Sequence, residues 1–219
     1  MAVPNSIVVF DLETDGVDTD KCEVVQVACL AINSRTLRTI PGSEFFSYLK
    51  PLNMDTVRAQ GLAISGTTKE QLQNAPDRES VWKRFAEHVR KYNYGKTKTS
   101  TRSAPIAAGK NIIGFDMHIV ERLCAQYGMT DKNGEQNLFN QYYRLDLEHD
   151  LYRWFGHCDE LPNMKMDTIR KYMGMSTENA HHAMKDVKQE SALVIKYLEL
   201  YRNLFGRISF KDCFAGTGV

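Results

Sequence analysis

A chain of 219 residues, 42% hydrophobic and 25% charged, has the length and composition to bury a full core as one soluble globular domain. The formal net charge of +1 neither supports nor excludes a polyanionic partner, so any attraction for phosphate must be local. The five cysteines (Cys22, Cys29, Cys124, Cys158, Cys213) include no Cys-x-x-Cys pair, which disfavours a disulfide frame or zinc knuckle. No run approaches the ~20 apolar residues of a membrane span, and the start has no basic-then-apolar leader. The expectation is a cytoplasmic protein of one domain over 1–219, with a core at about 6–205 and a tail at 206–219.

The first predicted element is a strand over 6–14, Ser-Ile-Val-Val-Phe-Asp-Leu-Glu-Thr, apolar and rich in β-branched residues until Asp11 and Glu13 interrupt it. Asp15-Gly16 marks a turn, and strands are expected over 23–32 and 45–49. Val81, Phe85, Val89 and Tyr92, spaced by three and four, predict an amphipathic helix over 79–94. A polar, basic loop at 95–103, carrying Lys96, Lys98 and Arg102, reads as a surface insertion before a short strand at 105–109. A helix over 114–127 is stopped by Gly128, and a fifth strand is expected over 142–147. A helix at 166–173 ends before Gly174. The last helix, over 186–205, should bury Val187, Val194, Leu198, Tyr201 and Phe205. Strands first, then strands alternating with helices, imply an α/β fold with a mixed sheet covered by helices.

Residues two apart on a strand share a face, so Asp11 and Glu13 project together. Two carboxylates close together and partly buried repel unless they share a proton or hold a cation. Asp116 follows the fourth strand at a strand-to-helix junction, and Asp186 opens the last helix, where the helix dipole favours a carboxylate. His181, five residues before Asp186, is off that helical face and belongs to the preceding loop. Four carboxylates without Cys or His ligand spacing favour Mg²⁺ or Mn²⁺ over zinc. Two such ions can orient an in-line displacement at phosphorus, and a neutral imidazole can take the proton of the attacking water. The implied reaction is phosphodiester hydrolysis. His182 is the alternative base, and register relative to Asp186 favours His181. His118, His149 and His157 read as surface or packing residues, and Trp82, Phe85 and Tyr92 as core.

Three segments carry a resemblance. Phe10-Asp11-Leu12-Glu13-Thr14-Asp15-Gly16 resembles the first motif of the DnaQ-like DEDDh 3′–5′ exonucleases, and Asn111-Ile112-Ile113-Gly114-Phe115-Asp116 the second. Asn179-Ala180-His181-His182-Ala183-Met184-Lys185-Asp186 is similar to the third, a His-x-Ala-x-x-Asp pattern. The segment around Ser65-Gly66-Thr67-Thr68 looks like the family's stretch before its first long helix, with Ser65 where the family often has histidine. The resemblance implies an RNase H-like fold with a five-stranded mixed sheet flanked by helices. It also implies two Mg²⁺ or Mn²⁺ ions held by Asp11, Glu13, Asp116 and Asp186, and His181 as general base. By the same resemblance Thr14, with the backbone of Leu12 and Glu13, lies near the substrate's 3′ end.

The expected function is a free-standing 3′–5′ exonuclease on single-stranded nucleic acid with a free 3′ end, DNA favoured. The alternatives are a proofreading or nucleic-acid-binding subunit with a polymerase partner, or an RNA-trimming exoribonuclease. The family includes dimers, so a homodimer is a further expected assembly.

Overall fold

The computed structural model describes residues 5–94, 101–178 and 180–207. The strands are β1 (Ser6–Thr14), β2 (Val24–Asn33), β3 (Arg38–Thr39), β4 (Phe45–Tyr48), β5 (Ile106–Gly109) and β6 (Arg144–Asp146). The helices are α1 (Ala59–Ser65), α2 (Lys69–Gln73), α3 (Arg78–Arg90), α4 (Asp116–Gln126), α5 (Leu147–Phe155), α6 (Met166–Tyr172) and α7 (Ala183–Phe205). One sheet runs β3-β2-β1-β5-β6, with β4 also paired to β2. β1 is antiparallel to β2 and parallel to β5, and β5 is parallel to β6, so the sheet is mixed. The fold is α/β and RNase H-like, a mixed sheet flanked by helices.

The expected five strands are six among the described residues. β3 and β4 lie along the same edge of β2, pairing Asn33 with Arg38 at one end and Gln26 with Tyr48 at the other. Between them Pro41 lacks the N–H a ladder needs and Gly42 takes φ +71°, so the edge breaks. Ser43 fills the gap, its hydroxyl bonding both the N–H (3.0 Å) and the carbonyl (3.3 Å) of Ala31.

Side-chain alternation on β1 builds a core on each face. Val8, Phe10 and Leu12 pack with α3 and α4 residues, including Trp82, Phe85, Ile119 and Leu123, all fully buried or nearly so. Ile7 and Val9 face the other way, against Leu147, Leu151, Ile169, Val187 and Val194 of α5, α6 and α7. Asp11 and Glu13 continue this second row. The strand alternation therefore delivers both carboxylates to the face that α7 covers.

Several boundaries move. The helix expected over 79–94 ends at Arg90, with Tyr92 packed on the core beyond it. The last helix begins at Ala183, three residues before Asp186, and its final turns outrun the sheet. Tyr201 and Phe205 are therefore exposed (43% and 67%), contrary to expectation, while Leu193 and Tyr197 take buried places. The strand expected over 142–147 shrinks to Arg144–Asp146, because Asn140 Oδ1 accepts the N–H groups of Tyr142 and Tyr143 and holds both in a turn. Helices α1, α2 and α5, none longer than nine residues, were not anticipated; they are too short to show a periodic stripe. Most of the basic loop at 95–103, Cys213 and the tail from 208 onward lie outside the described residues. The described cysteines are free thiols, and no helix among the described residues is long and apolar enough to cross a membrane.

Candidate active site

The site lies where β5 ends beside β1, which runs on past it through Asp11 and Glu13, at the carboxyl edge of the parallel pair. From β5 the chain turns through Asn111, held at φ +58°, into α4, whose first residue is Asp116. Asp146, buried at the end of β6, fixes this turn by accepting N–H groups from Asn111 (2.8 Å), Ile113 (2.9 Å) and Glu148 (2.9 Å). Asp116 then reaches back to β1, its Oδ1 accepting the Leu12 N–H at 3.1 Å. Gly109 permits this crowding, since a Cβ there would stand 2.8 Å from the Phe10 carbonyl and 2.6 Å from Ile112.

The third contribution comes from the N-terminus of α7. Asp186 is buried; its Oδ1 accepts Arg170 Nη2 at 2.6 Å and its Oδ2 the His181 N–H at 3.2 Å. His181 sits on the preceding turn at φ +65°, its side chain 45% exposed. Ligand atoms of Glu13, His181 and Asp186 all lie within 4.8 Å of one another. His182 instead caps α7 and stacks on Phe46 at 4.9 Å, and among the described residues it joins no such group. The five residues singled out from the sequence thus meet at one edge of the sheet. Leu12 lies beneath them, buried, and Thr14 donates its hydroxyl to the Gly16 carbonyl at 2.7 Å.

Burial and mutual repulsion dominate the electrostatics. The Asp11 carboxyl is pushed well above the usual carboxylate range, first by burial and then by the charges of Glu13 and Glu190. Glu13 is raised to about 8 by burial and by Asp186 and Asp116. Asp116 is also raised to about 8 by burial, against the opposing hydrogen bond from Leu12. Asp186 is raised by burial, with Arg170 pulling the other way. Asp11 Oδ2 is buried and has no hydrogen-bond partner among the described residues. Clustered hard oxygen donors, one orphaned and all resisting ionisation, fit a divalent cation, which would supply the missing positive charge and a coordination partner for the oxygens.

Four supporting residues escaped the sequence reading. Glu190, 3% exposed, lies one turn along α7 from Asp186 and accepts the Lys110 N–H at 3.3 Å. Its spacing of four from Asp186 was a usable signal. Arg170 is fully buried and ties α6 to α7, donating to Asp167 (2.8 Å), Gln189 (2.6 Å) and Asp186. Asp146 and Gln26 are the other two. Gln26 lies opposite Glu13 on β2. It donates to Thr67 Oγ1 (2.7 Å) and the Ser65 carbonyl (3.2 Å), and accepts the Ala183 N–H (3.1 Å). Nothing local in the sequence marks Arg170, Asp146 or Gln26, because the partners that tie them to the site, Asp186 and Gln189, Asn111 and Ile113, and Ala183, are remote in the chain. Ser65, at the position noted as a departure, is buried and bonds Thr67 at 2.8 Å.

Residues 8–102 match the Exonuclease family, RNase_T. A curated relative is the PolC-type DNA polymerase III of Caldanaerobacter subterraneus subsp. tengcongensis, 21% identical over 90% of this chain and 12% of its own length. Among solved structures, Escherichia coli Exonuclease I in a zinc-bound complex with single-stranded DNA superposes with TM-score 0.70 and 20% identity. That superposition covers 92% of this chain and 42% of Exonuclease I. The cell-death related nuclease 4 (CRN-4) gives TM-score 0.66 and 16% identity, over 90% of this chain and 64% of its own. The chain thus spans under half of Exonuclease I and about an eighth of the polymerase. The first part of the chain thus matches the Exonuclease family, and its fold is that of the exonuclease structures it superposes on.

Proposed function

We propose that the chain is a metal-dependent nuclease that removes nucleotides from the 3′ end of single-stranded nucleic acid, with DNA the favoured substrate. The observation that carries this is the convergence of Asp11, Glu13, Asp116 and Asp186 at one sheet edge with His181 beside them. The Exonuclease match and the likeness to an enzyme named with bound single-stranded DNA support it.

In this reading the four carboxylates hold two Mg²⁺ or Mn²⁺ ions. Bound there, the ions would neutralise the phosphate and lower the pKa of water for attack at phosphorus. The chain's residues perform the rest. His181, half-exposed on a turn that Asp186 anchors, accepts the proton of the attacking water. Thr14 keeps its oxygen lone pairs for a 3′ hydroxyl, since its own proton goes to Gly16. The Leu12 N–H is committed to Asp116 and its side chain is packed in the core on the other face, so Leu12 supports the site from beneath.

Asp11→Asn and Asp186→Asn test the assignment. Each should abolish hydrolysis of a labelled single strand while the far-UV circular dichroism stays unchanged; full activity in either would overturn it. Kinship with a DNA polymerase favours a second reading, a proofreading unit working with a polymerase. Activity of the isolated chain, with its mass by light scattering alone and with a polymerase, separates that reading from a free-standing enzyme or a homodimer.

A further inference from the structure

A cleft of about 580 Å³ opens beside the His181 turn, between the C-terminal end of α1 and the N-terminal end of α7. One wall is Ala63, Ile64 and Gly66, with Ile64 54% exposed. The opposite wall is His182, Met184, Lys185 and Lys188. His182 is backed by Phe46, stacked at 4.9 Å and 23° between ring planes, so the imidazole is held flat against an aromatic. Gln26 bonds both walls from beneath, to Ser65 and Thr67 on one side and Ala183 on the other, which fixes the width.

The chemistry of the two walls is complementary to a nucleic-acid strand. Lys185 and Lys188 are three apart on α7 and therefore project from neighbouring positions. Lys188 reaches Glu44 at 3.2 Å, a pair half-exposed on both sides and easily exchanged for a phosphate. Lys185 has no carboxylate partner among the described residues. A chain of almost neutral net charge thus places two cations on one wall of a cleft beside the His181 turn, with a stacked ring on the same wall and an exposed aliphatic opposite. A carboxylate centre by itself repels a phosphodiester, so a strand needs such an anchor to approach it.

We propose that this cleft seats the nucleotides that precede the 3′-terminal one. Lys185 and Lys188 hold their phosphates, and Ile64 with the His182–Phe46 stack holds a base. This rests on the nuclease reading and sharpens it. The substrate is a strand several nucleotides long, and a dinucleotide, which leaves the cleft empty, is a poor one.

The test is fluorescence anisotropy of the full chain carrying Asp11→Asn, with labelled single strands from a dinucleotide to an octanucleotide, over a range of salt. Affinity should rise as the strand lengthens past the dinucleotide. Adding Lys185→Ala and Lys188→Ala should weaken octanucleotide binding about tenfold. It should also flatten the salt dependence by about 1.4 in log–log slope, roughly 0.7 per lost phosphate contact. Phe46→Ala should weaken it about fivefold or more without changing that slope. The slope is a readout that mere loosening of the fold would leave alone. Equal affinity for dinucleotide and octanucleotide, or an unchanged slope in the lysine variant, would overturn the subsite and leave the nuclease reading standing. A parent chain that binds no strand of any length would overturn both.

Discussion

Asp11 is where burial and charge conflict most sharply, since its carboxylate is enclosed with Glu13 and Glu190 nearby and one oxygen has no partner among the described residues. Replacing it with Asn removes the charge and nearly keeps the shape. In EDTA the Asp11→Asn chain should therefore be more stable by about 1–2 kcal/mol, a rise in Tm of roughly 2–8 °C, even though it is inactive. A lower Tm by calorimetry would mean that the carboxylate is structurally satisfied in a way the repulsion does not suggest. His181 gives a complementary prediction. Its φ of +65° is a conformation only glycine adopts freely. His181→Ala and His181→Gly should both lose about 10²–10⁴-fold in rate, with the Gly variant more stable than the Ala variant by about 1 kcal/mol. Chemical denaturation reads the difference; equal stability would place the strain elsewhere. At this scale Asp11 and Glu13 were legible because strand alternation is strict. Asp186 and His181 were legible because five residues cannot share a helical face. Arg170 was not legible, since its burial depends on two helices packing, which no local pattern reports.

Among elements, β2 carries the strongest coupling between scaffold and site. Gln26, 1% exposed, braces the turn after α1 and the start of α7 at once. Gln26→Leu keeps the volume but strands the Ala183 N–H and the Ser65 carbonyl. It should cost about 1–3 kcal/mol by urea denaturation and lower kcat by loosening the His181 turn. Unchanged stability and kcat would show that the turn holds itself. The long helices α3, α4 and α7 were readable because several turns of periodicity average out exceptions. α1, α2 and α5 were not, and neither was β3, two exposed residues whose existence follows from where Pro41 and Gly42 break the edge. The end of α7 misled for a related reason. Apolar spacing continues to Phe205 after the sheet beneath it has stopped, and periodicity alone cannot see that.

For the whole molecule, the raised carboxyls make stability depend on pH and metal together. A carboxyl with a higher pKa folded than unfolded supports the fold below its unfolded value and withdraws that support as pH rises through the folded one. For Glu13 the window runs from 4.5 to about 8, and Asp11, Asp116 and Asp186 shift in the same direction. The metal-free chain should therefore lose Tm steadily across that window, and Mn²⁺ should restore most of it at the alkaline end. A flat profile in EDTA would show that the cluster is not under charge strain. The central claim, that this cluster removes nucleotides from 3′ ends with divalent metal, is tested most directly by following a 5′-labelled single strand with Mg²⁺, Mn²⁺ or EDTA. A ladder shortening one nucleotide at a time, present with either metal and absent with EDTA, is the predicted result; immediate release of the labelled 5′ nucleotide, or shortening that persists in EDTA, would contradict it.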